Sequence, residues 1–291
     1  MQVRYKQVDV FSRRPLSGNP VAVFLEAAPL TPEVMQQIAS WMNLSECTFV
    51  TPAADPRADY RVRIFDPRHE MPFAGHPTVG TAHALLEAGL LPRQPGLLVQ
   101  ECGVGLVRLH LEADGVVFFE LPAPVFEPVP DGGHAAVAAA LGLEAARLSP
   151  LQSISVGPRW LTTELDSVTT VLALTPDQHA LTTVSRALGA EGVTVFAAYA
   201  SGGAALDAAI EVRSFAPATG VPEDPVCGSG NGCVAALLRQ RGLPLGLAYT
   251  ASQGKALGRS GRVQIRYEGE TILVGGAANT CLDGELRIAA L

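Results

Sequence analysis

The sequence predicts an α+β fold of two pseudo-symmetric lobes, each a curled, barrel-like β-sheet around a central α-helix. Three observations carry this. The stretch Glu70 to Leu90 aligns without a gap on Glu223 to Leu243, with identities at Glu70/Glu223, Pro72/Pro225, Gly75/Gly228, Ala82/Ala235, Leu85/Leu238, Gly89/Gly242 and Leu90/Leu243. Upstream, Arg63-Ile64-Phe65-Asp66-Pro67 answers Arg213-Ser214-Phe215-Ala216-Pro217, so one strand–loop–helix unit is used twice. Strand signals are short and numerous while helix signals are few, which favours a sheet curled around a helix over a doubly wound parallel sheet. Finally, Pro122, Pro124, Pro128 and Pro130 crowd one stretch near the middle of the chain, the best linker candidate. The expected lobes are residues 1–122 and 123–280, with residues 281–291 returning to the first.

Val3 to Phe11 reads as a strand, Arg13 to Pro20 as a loop, and Val21 to Leu25 as a buried strand. Thr31-Pro32-Glu33 is a helix start: an N-cap, a proline at the first position and an acid in the first turn. That helix is expected to bury Val34, Ile38 and Trp41 and to end near Asn43. A turn through Ser45 and Glu46 leads into a strand at Cys47 to Val50, and Arg61 to Phe65 is the next. The first repeated helix follows Gly75 and stops at Gly89; its twin follows Gly228 and stops at Gly242, each glycine in the usual C-terminal place. Asp114-Gly115 joins Val107–Leu111 to Val116–Leu121 as a hairpin. Helices are expected at Ala135–Leu141 and Asp177–Leu188. Strands are expected at Thr169–Leu174, Val193–Tyr199, Ala209–Phe215, Val263–Glu268 and Glu285–Ala289, with a hairpin at Asp283-Gly284.

Composition narrows the function. At 291 residues the chain can hold one large or two medium domains. Its formal charge is −7 and no basic run exceeds Arg13-Arg14, so neither nucleic acid nor an anionic membrane surface is an expected partner. Arg4 and Lys6 interrupt the first strand, unlike a signal peptide, and no apolar run approaches a membrane span. Cys47, Cys102, Cys227, Cys233 and Cys281 are an odd set without C-x-x-C spacing. That fits a reducing cytoplasm, with neither a disulfide framework nor a zinc site.

A glycine loop opening a helix presents free backbone N–H groups and the positive end of a dipole, which is an anion site. Gly75 and Gly228 open two such loops, followed by polar His76 and Ser229. Two of them facing each other across a cleft would hold a small carboxylate. Glu46 lies on a turn between apolar segments. A carboxylate there is ordinarily solvated, but in a cleft its burial would suit acid/base work near neutral pH. Asp224 is either a helix N-terminal charge or a counter-charge for a substrate amine. The run Gly228-Ser229-Gly230-Asn231-Gly232-Cys233 is not a G-x-G-x-x-G nucleotide loop, and no lysine follows it as in a phosphate-binding loop. G-x-S-x-G and H-E-x-x-H are missing too.

At three places these residues match a known pattern. Ser45-Glu46-Cys47-Thr48-Phe49, Phe73-Ala74-Gly75-His76-Pro77-Thr78 and Glu223-Asp224-Pro225-Val226-Cys227-Gly228-Ser229 resemble the signature segments of the PhzF (phenazine-biosynthesis) family. Val8-Asp9-Val10-Phe11 with Gly18-Asn19-Pro20 is similar as well. The resemblance spans nearly the whole chain and implies the diaminopimelate-epimerase-like fold, a site between the lobes, no cofactor and a homodimer. The best-known member moves a hydrogen along one face of a dihydro-hydroxyanthranilic acid ring. Carried over by motif, Glu46 would be the catalytic acid/base. Ser45, His76, Asp224 and Ser229 would bind the substrate, with backbone donors from Gly75 and Gly228. Cys227 stands where the family ordinarily has threonine. Cysteine there is the pattern of two-cysteine epimerases, but their second cysteine is replaced by Ala74. The expectation is therefore a cofactor-independent isomerase of a small carboxylate-bearing amino or hydroxy acid. A racemase using Cys227 with Glu46, and a binding protein without turnover, are the alternatives.

Overall fold

The structure, a computed structural model, describes residues 2–200 and 207–288. In chain order its elements are β1 (Gln2–Val10), β2 (Asn19–Phe24), α1 (Pro32–Met42), β3 (Cys47–Thr51), β4 (Tyr60–Phe65), β5 (Glu70–Met71), α2 (Gly75–Glu87), β6 (Leu97–Cys102), β7 (Gly105–Leu111) and β8 (Val117–Glu120). There follow β9 (Val125–Glu127), α3 (Gly133–Ala140), β10 (Gln152–Ser155), β11 (Arg159–Glu164), α4 (Val168–Ala173), α5 (Gln178–Ala187), β12 (Gly192–Ala198), β13 (Ile210–Ala216) and β14 (Val221–Asp224). The last are α6 (Gly228–Gln240), β15 (Ala248–Gln253), β16 (Gly261–Glu268), β17 (Thr271–Gly276) and β18 (Ala278–Arg287).

The chain forms two compact units, residues 1–120 with 275–291, and residues 121–274. The return to the first unit thus begins at Gly275, ahead of the 281 expected, because β18 pairs along the whole of β1 from Gln2↔Arg287 to Val10↔Ala278. In the first unit, strands pair in the order β18-β1-β2-β3-β4-β6-β7-β8. Helix α2 packs on β1, β2, β3, β8 and β18, so strands from both ends of the order reach it and the sheet is curled. Outside the sheet, α1 buries Met35, Ile38 and Ala39 against Phe24, Phe49 and Phe65.

The second unit repeats the plan with the order β9-β10-β11-β12-β13-β15-β16. The pairing types match one for one. β2 is parallel to β3, β3 antiparallel to β4, and β4 parallel to β6; β11, β12, β13 and β15 do the same. Helix α6 packs on β10, β11, β12 and β16, while α3, α4 and α5 cover the other face through Val137, Val171, Leu181, Val193 and Phe215.

Side chains confirm the repeat at atomic detail. Arg63 forms a two-bond fork with Glu70 and lies over the ring of Phe65. Arg213 does the same with Glu223 and Phe215. Both central helices end on a left-handed glycine, Gly89 at φ 96° and Gly242 at φ 82°. In each, the next amide reaches back to close the helix, Leu90 N–H to Leu85 O and Leu243 N–H to Leu238 O. This 6→1 bond is the Schellman stop the two Gly-Leu pairs encode.

Four local expectations are corrected. Thr169–Leu174 is not a strand but lies in and just after α4, capped by Ser167 Oγ accepting from Thr170 N–H; the N-cap and the burial of Val171 outweigh the β-branched composition. Asp283-Gly284 makes no hairpin and lies inside β18, where Lys6 of β1 holds Asp283 at 2.6 Å. Trp41 is 76% exposed, because Met35 and Ala39, rather than Val34 and Trp41, complete the buried stripe with Ile38. The proline-rich stretch is not an open linker, since Val125–Glu127 pairs with β10. The end of the expected last strand, Ala289, lies outside the described residues.

Candidate active site

In the first unit the strand β3 and the helix α2 converge on Glu46 and His76. Glu46 immediately precedes β3, and its side chain is 13% exposed. His76 is the second residue of α2 and is buried. Glu46 Oε2 lies 3.4 Å from His76 Nε2, but the two do not meet hydrogen-bond geometry. Burial lowers the His76 pKa to about 3, against a smaller opposing effect of the Pro20 carbonyl. The ring is therefore neutral at physiological pH, and the contact with Glu46 is not an ion pair. On its other side, His76 Nδ1 meets Asn19 Nδ2 at 3.3 Å, and Ser45 Oγ donates to Asn19 Oδ1 at 3.4 Å. Ser45, Asn19, His76 and Glu46 thus form one chain of polar contacts, with Asn19 and His76 buried and Ser45 and Glu46 at its partly exposed ends. Ala74 is the N-cap of α2 and offers no side-chain cap, and Gly75 is the first helical residue.

In the second unit the loop from Asp224 to Ser229 opens α6. Cys227 is its N-cap and its Sγ accepts from Gly230 N–H at 3.2 Å. Gly228 and Ser229 are the first helical residues, whose amides have no acceptor inside the helix. Ser229 Oγ accepts from Trp160 Nε1 at 3.0 Å and lies 3.5 Å from Cys227 Sγ. Asp224 is buried and accepts from Val226 N–H at 3.1 Å. Burial raises its carboxyl pKa to about 6, helped by the neighbouring Glu223 and opposed by bonds from Cys227 and Val226. The Cys227 thiol is pushed well above its ordinary value, first by burial and then by Asp224. A helix start commonly lowers a thiol pKa; here desolvation wins, and Cys227 is a neutral thiol.

The strand registers show which positions correspond. Cys47 pairs with Phe65 and Val193 with Phe215, so the counterpart of Glu46 is Gly192. A Cβ built on Gly192 would lie 2.0 Å from the Phe215 carbonyl oxygen, so no side chain fits there. The counterpart of Cys227 is Ala74, as the alignment requires. At these two pairs of equivalent positions the loss is complementary: the first unit has Glu46 but Ala74, and the second has Cys227 but Gly192.

The described structure groups Glu46, Ser45, His76 and Gly75 in the first unit, and Asp224, Cys227, Gly228 and Ser229 in the second. Sequence reasoning missed Asn19, Trp160, Asn231 and Gln253. Asn19 stood within the quoted Gly18-Asn19-Pro20 and could have been singled out. Trp160 and Gln253 sit in strands with no local mark of a role. Among the described residues, no three His, Cys, Asp or Glu side chains cluster as a metal site would require, and no helix is long and apolar enough to cross a membrane.

The chain is similar to known proteins along nearly its whole length. A family profile described as phenazine biosynthesis-like protein matches residues 8–284. The trans-2,3-dihydro-3-hydroxyanthranilate isomerase of Pseudomonas aeruginosa is 40% identical over 273 residues, 91% of each chain. Antisense-enhancing sequence 1 of Schizosaccharomyces pombe is 38% identical over 294 residues, 97% of each. A solved PhzF-family protein from Bacillus anthracis has a TM-score of 0.84 at 25% identity, covering 99% of this chain and 100% of that one.

Proposed function

The chain belongs to the phenazine biosynthesis-like family and is an isomerase, and from that premise we propose that it shifts a proton along one face of a small carboxylic acid carrying an amino or hydroxyl group, with Glu46 as the single acid/base. The observation that carries this is the complementary loss at the two equivalent position pairs, Glu46/Gly192 and Cys227/Ala74. A racemase needs one group to remove the proton and a second to return it from the opposite face. One carboxylate that takes a proton from one carbon and returns it to another needs no such partner.

In this reading Glu46 removes the C–H proton, the electron pair of that bond moves into the ring or chain as a shifted double bond, and the same carboxyl delivers the proton to the new carbon. Neutral His76 stands beside Glu46, and the single N–H of its ring can go either to that carboxylate or to a substrate oxygen. The carboxylate binds at the amides of Gly75 or Gly228 and at Ser229, held by the helix dipole and oriented N–H groups. Asp224 receives the amine or hydroxyl. With its pKa raised to about 6, the carboxyl is half charged near that pH and gains charge as the pH rises through it, so binding of an amine is expected to strengthen across that range.

The test is incubation in heavy water with trans-2,3-dihydro-3-hydroxyanthranilate, the compound named for the 40%-identical relative, and with a panel of small amino and hydroxy acids. The expected result is isomerisation with the hydrogen retained or exchanged at one face only. Inversion at a stereocentre would replace this reading with racemisation, and binding without any hydrogen movement would make the chain a binding protein.

Cys227→Thr separates the two proton chemistries. Threonine is a good N-cap, and its hydroxyl can take over acceptance from Gly230 N–H. The variant is expected to keep its melting temperature or raise it, and to retain most of the parental turnover. A folded but inactive Cys227→Thr, with hydrogen exchange lost, would assign the thiol a chemical role.

A further inference from the structure

Gln253 ends β15 and is fully buried. Its amide makes three hydrogen bonds, all to the segment from Asp224 to Asn231. Oε1 accepts from the Cys227 backbone N–H at 3.1 Å and from Asn231 Nδ2 at 2.8 Å, while Nε2 donates to the Asp224 carbonyl at 3.0 Å. Asn231 Nδ2 in turn donates to the Cys227 carbonyl at 2.9 Å. One planar group supplying both an acceptor and a donor thus ties the main chain of Asp224 to the N-cap and first turn of α6. Glutamate keeps the shape but loses the donor; leucine keeps roughly the size and loses all three bonds.

The repeat supplies an internal comparison. Gln100 is also buried, and its Nε2 donates to Thr78 Oγ1 at 3.0 Å while its Oε1 accepts from Tyr60. Thr78 is the counterpart of Asn231, so both glutamines reach the same turn of their helices. Gln100, however, pairs with Tyr60, and the counterpart of Tyr60, Ile210, pairs with Ala251. By register Gln253 stands two residues further along its strand than Gln100 does. The shift keeps it on the same face and carries its amide past the helix onto the loop. Among the described residues, only the second unit has its helix-opening loop clamped in this way.

We propose that Gln253 is a positioning residue that holds Asp224 and the first turn of α6 together as one ligand-binding unit. This rests on the reading that Asp224 and the α6 start bind the substrate. Among the groups that act on the Asp224 carboxyl are Glu223 through space, and the Cys227 thiol and Val226 N–H by hydrogen bonds. Gln253 acts instead on the carbonyl of the same residue, and so sets where that carboxyl stands.

The test compares Gln253→Glu and Gln253→Leu with the parent through two readouts. The first needs no ligand: titration of Asp224 by carbon-13 NMR of labelled aspartate, assigned with Asp224→Asn. Gln253→Glu brings an acid against the loop and is expected to move the Asp224 midpoint upward; Gln253→Leu releases the loop to water and is expected to move it down. The second is the affinity for 2-aminobenzoate, which carries the carboxylate and the amine and cannot isomerise. It is expected to fall about tenfold or more in both variants, roughly the loss of one charge-assisted contact. A filler of space would lower the melting temperature and leave both readouts at parental values, and that outcome in folded Gln253→Glu overturns the proposal even if Gln253→Leu does not fold. If the parent does not bind 2-aminobenzoate, the substrate reading is at fault, and the Asp224 titration decides the role of Gln253 alone.

Discussion

Glu46→Gln is expected to lower the isomerisation rate by about 10²–10⁴-fold, the range over which a positioned acid or base contributes. The amide keeps the length and shape of the side chain, and its oxygen can still face His76 Nε2 at the 3.4 Å seen for the carboxylate. Binding should therefore change little, and the loss should fall on the chemical step, appearing equally in kcat and kcat/KM. Affinity for 2-aminobenzoate in the variant provides the control. Turnover within tenfold of the parent would remove Glu46 from the mechanism. Loss of binding together with turnover would make Glu46 a binding group rather than the base.

The largest stability effect is expected at Arg213, with Arg63 as its internal control. The two arginines make the same fork to Glu223 and Glu70, but their surroundings differ. The Arg213 and Glu223 side chains are 6% and 10% exposed, against 22% and 44% for Arg63 and Glu70. Arg213 Nη1 also donates to the carbonyls of Val171 and Leu174 at 3.0 and 2.9 Å, closing the end of α4. Arg213→Met would strand a buried carboxylate and two carbonyls. It is expected to cost about 3–5 kcal/mol, as removing one partner of a buried ion pair does. Arg63→Met breaks a pair that water can reach, and about 1 kcal/mol or less is expected. Denaturant unfolding of both variants measures the difference. Equal losses would mean that burial does not set the strength of these pairs.

Much of the fold was legible because the signals are local. Thr31 caps α1 and Asp177 caps α5 with the side-chain bonds their residue types predict. Gly89 and Gly242 stop the central helices because only glycine takes a left-handed backbone there without strain. The duplicated unit was visible because the same fork, ring contact and helix stop recur at matching residues. Glu46, His76, Asp224, Cys227 and Ser229 were legible as candidates because their motifs are contiguous.

What the sequence could not decide depends on partners distant along the chain. Asp283-Gly284 has the composition of a turn, yet the Lys6 ammonium and the length of β1 draw it into a strand. The run Val168–Ala173 has the composition of a strand, yet Ser167 and the apolar face of the sheet make it a helix. Gln253 and Gln100 are the same residue type in similar strands, and only a two-residue difference in register sends one to the loop and leaves the other on the helix. By itself the sequence determined where each chemical group lies along the chain and that the chain repeats. Only the tertiary structure decided that Gly192 stands where Glu46 would repeat and that desolvation keeps Cys227 a thiol, because register and burial are set by the packing of strands far apart in sequence.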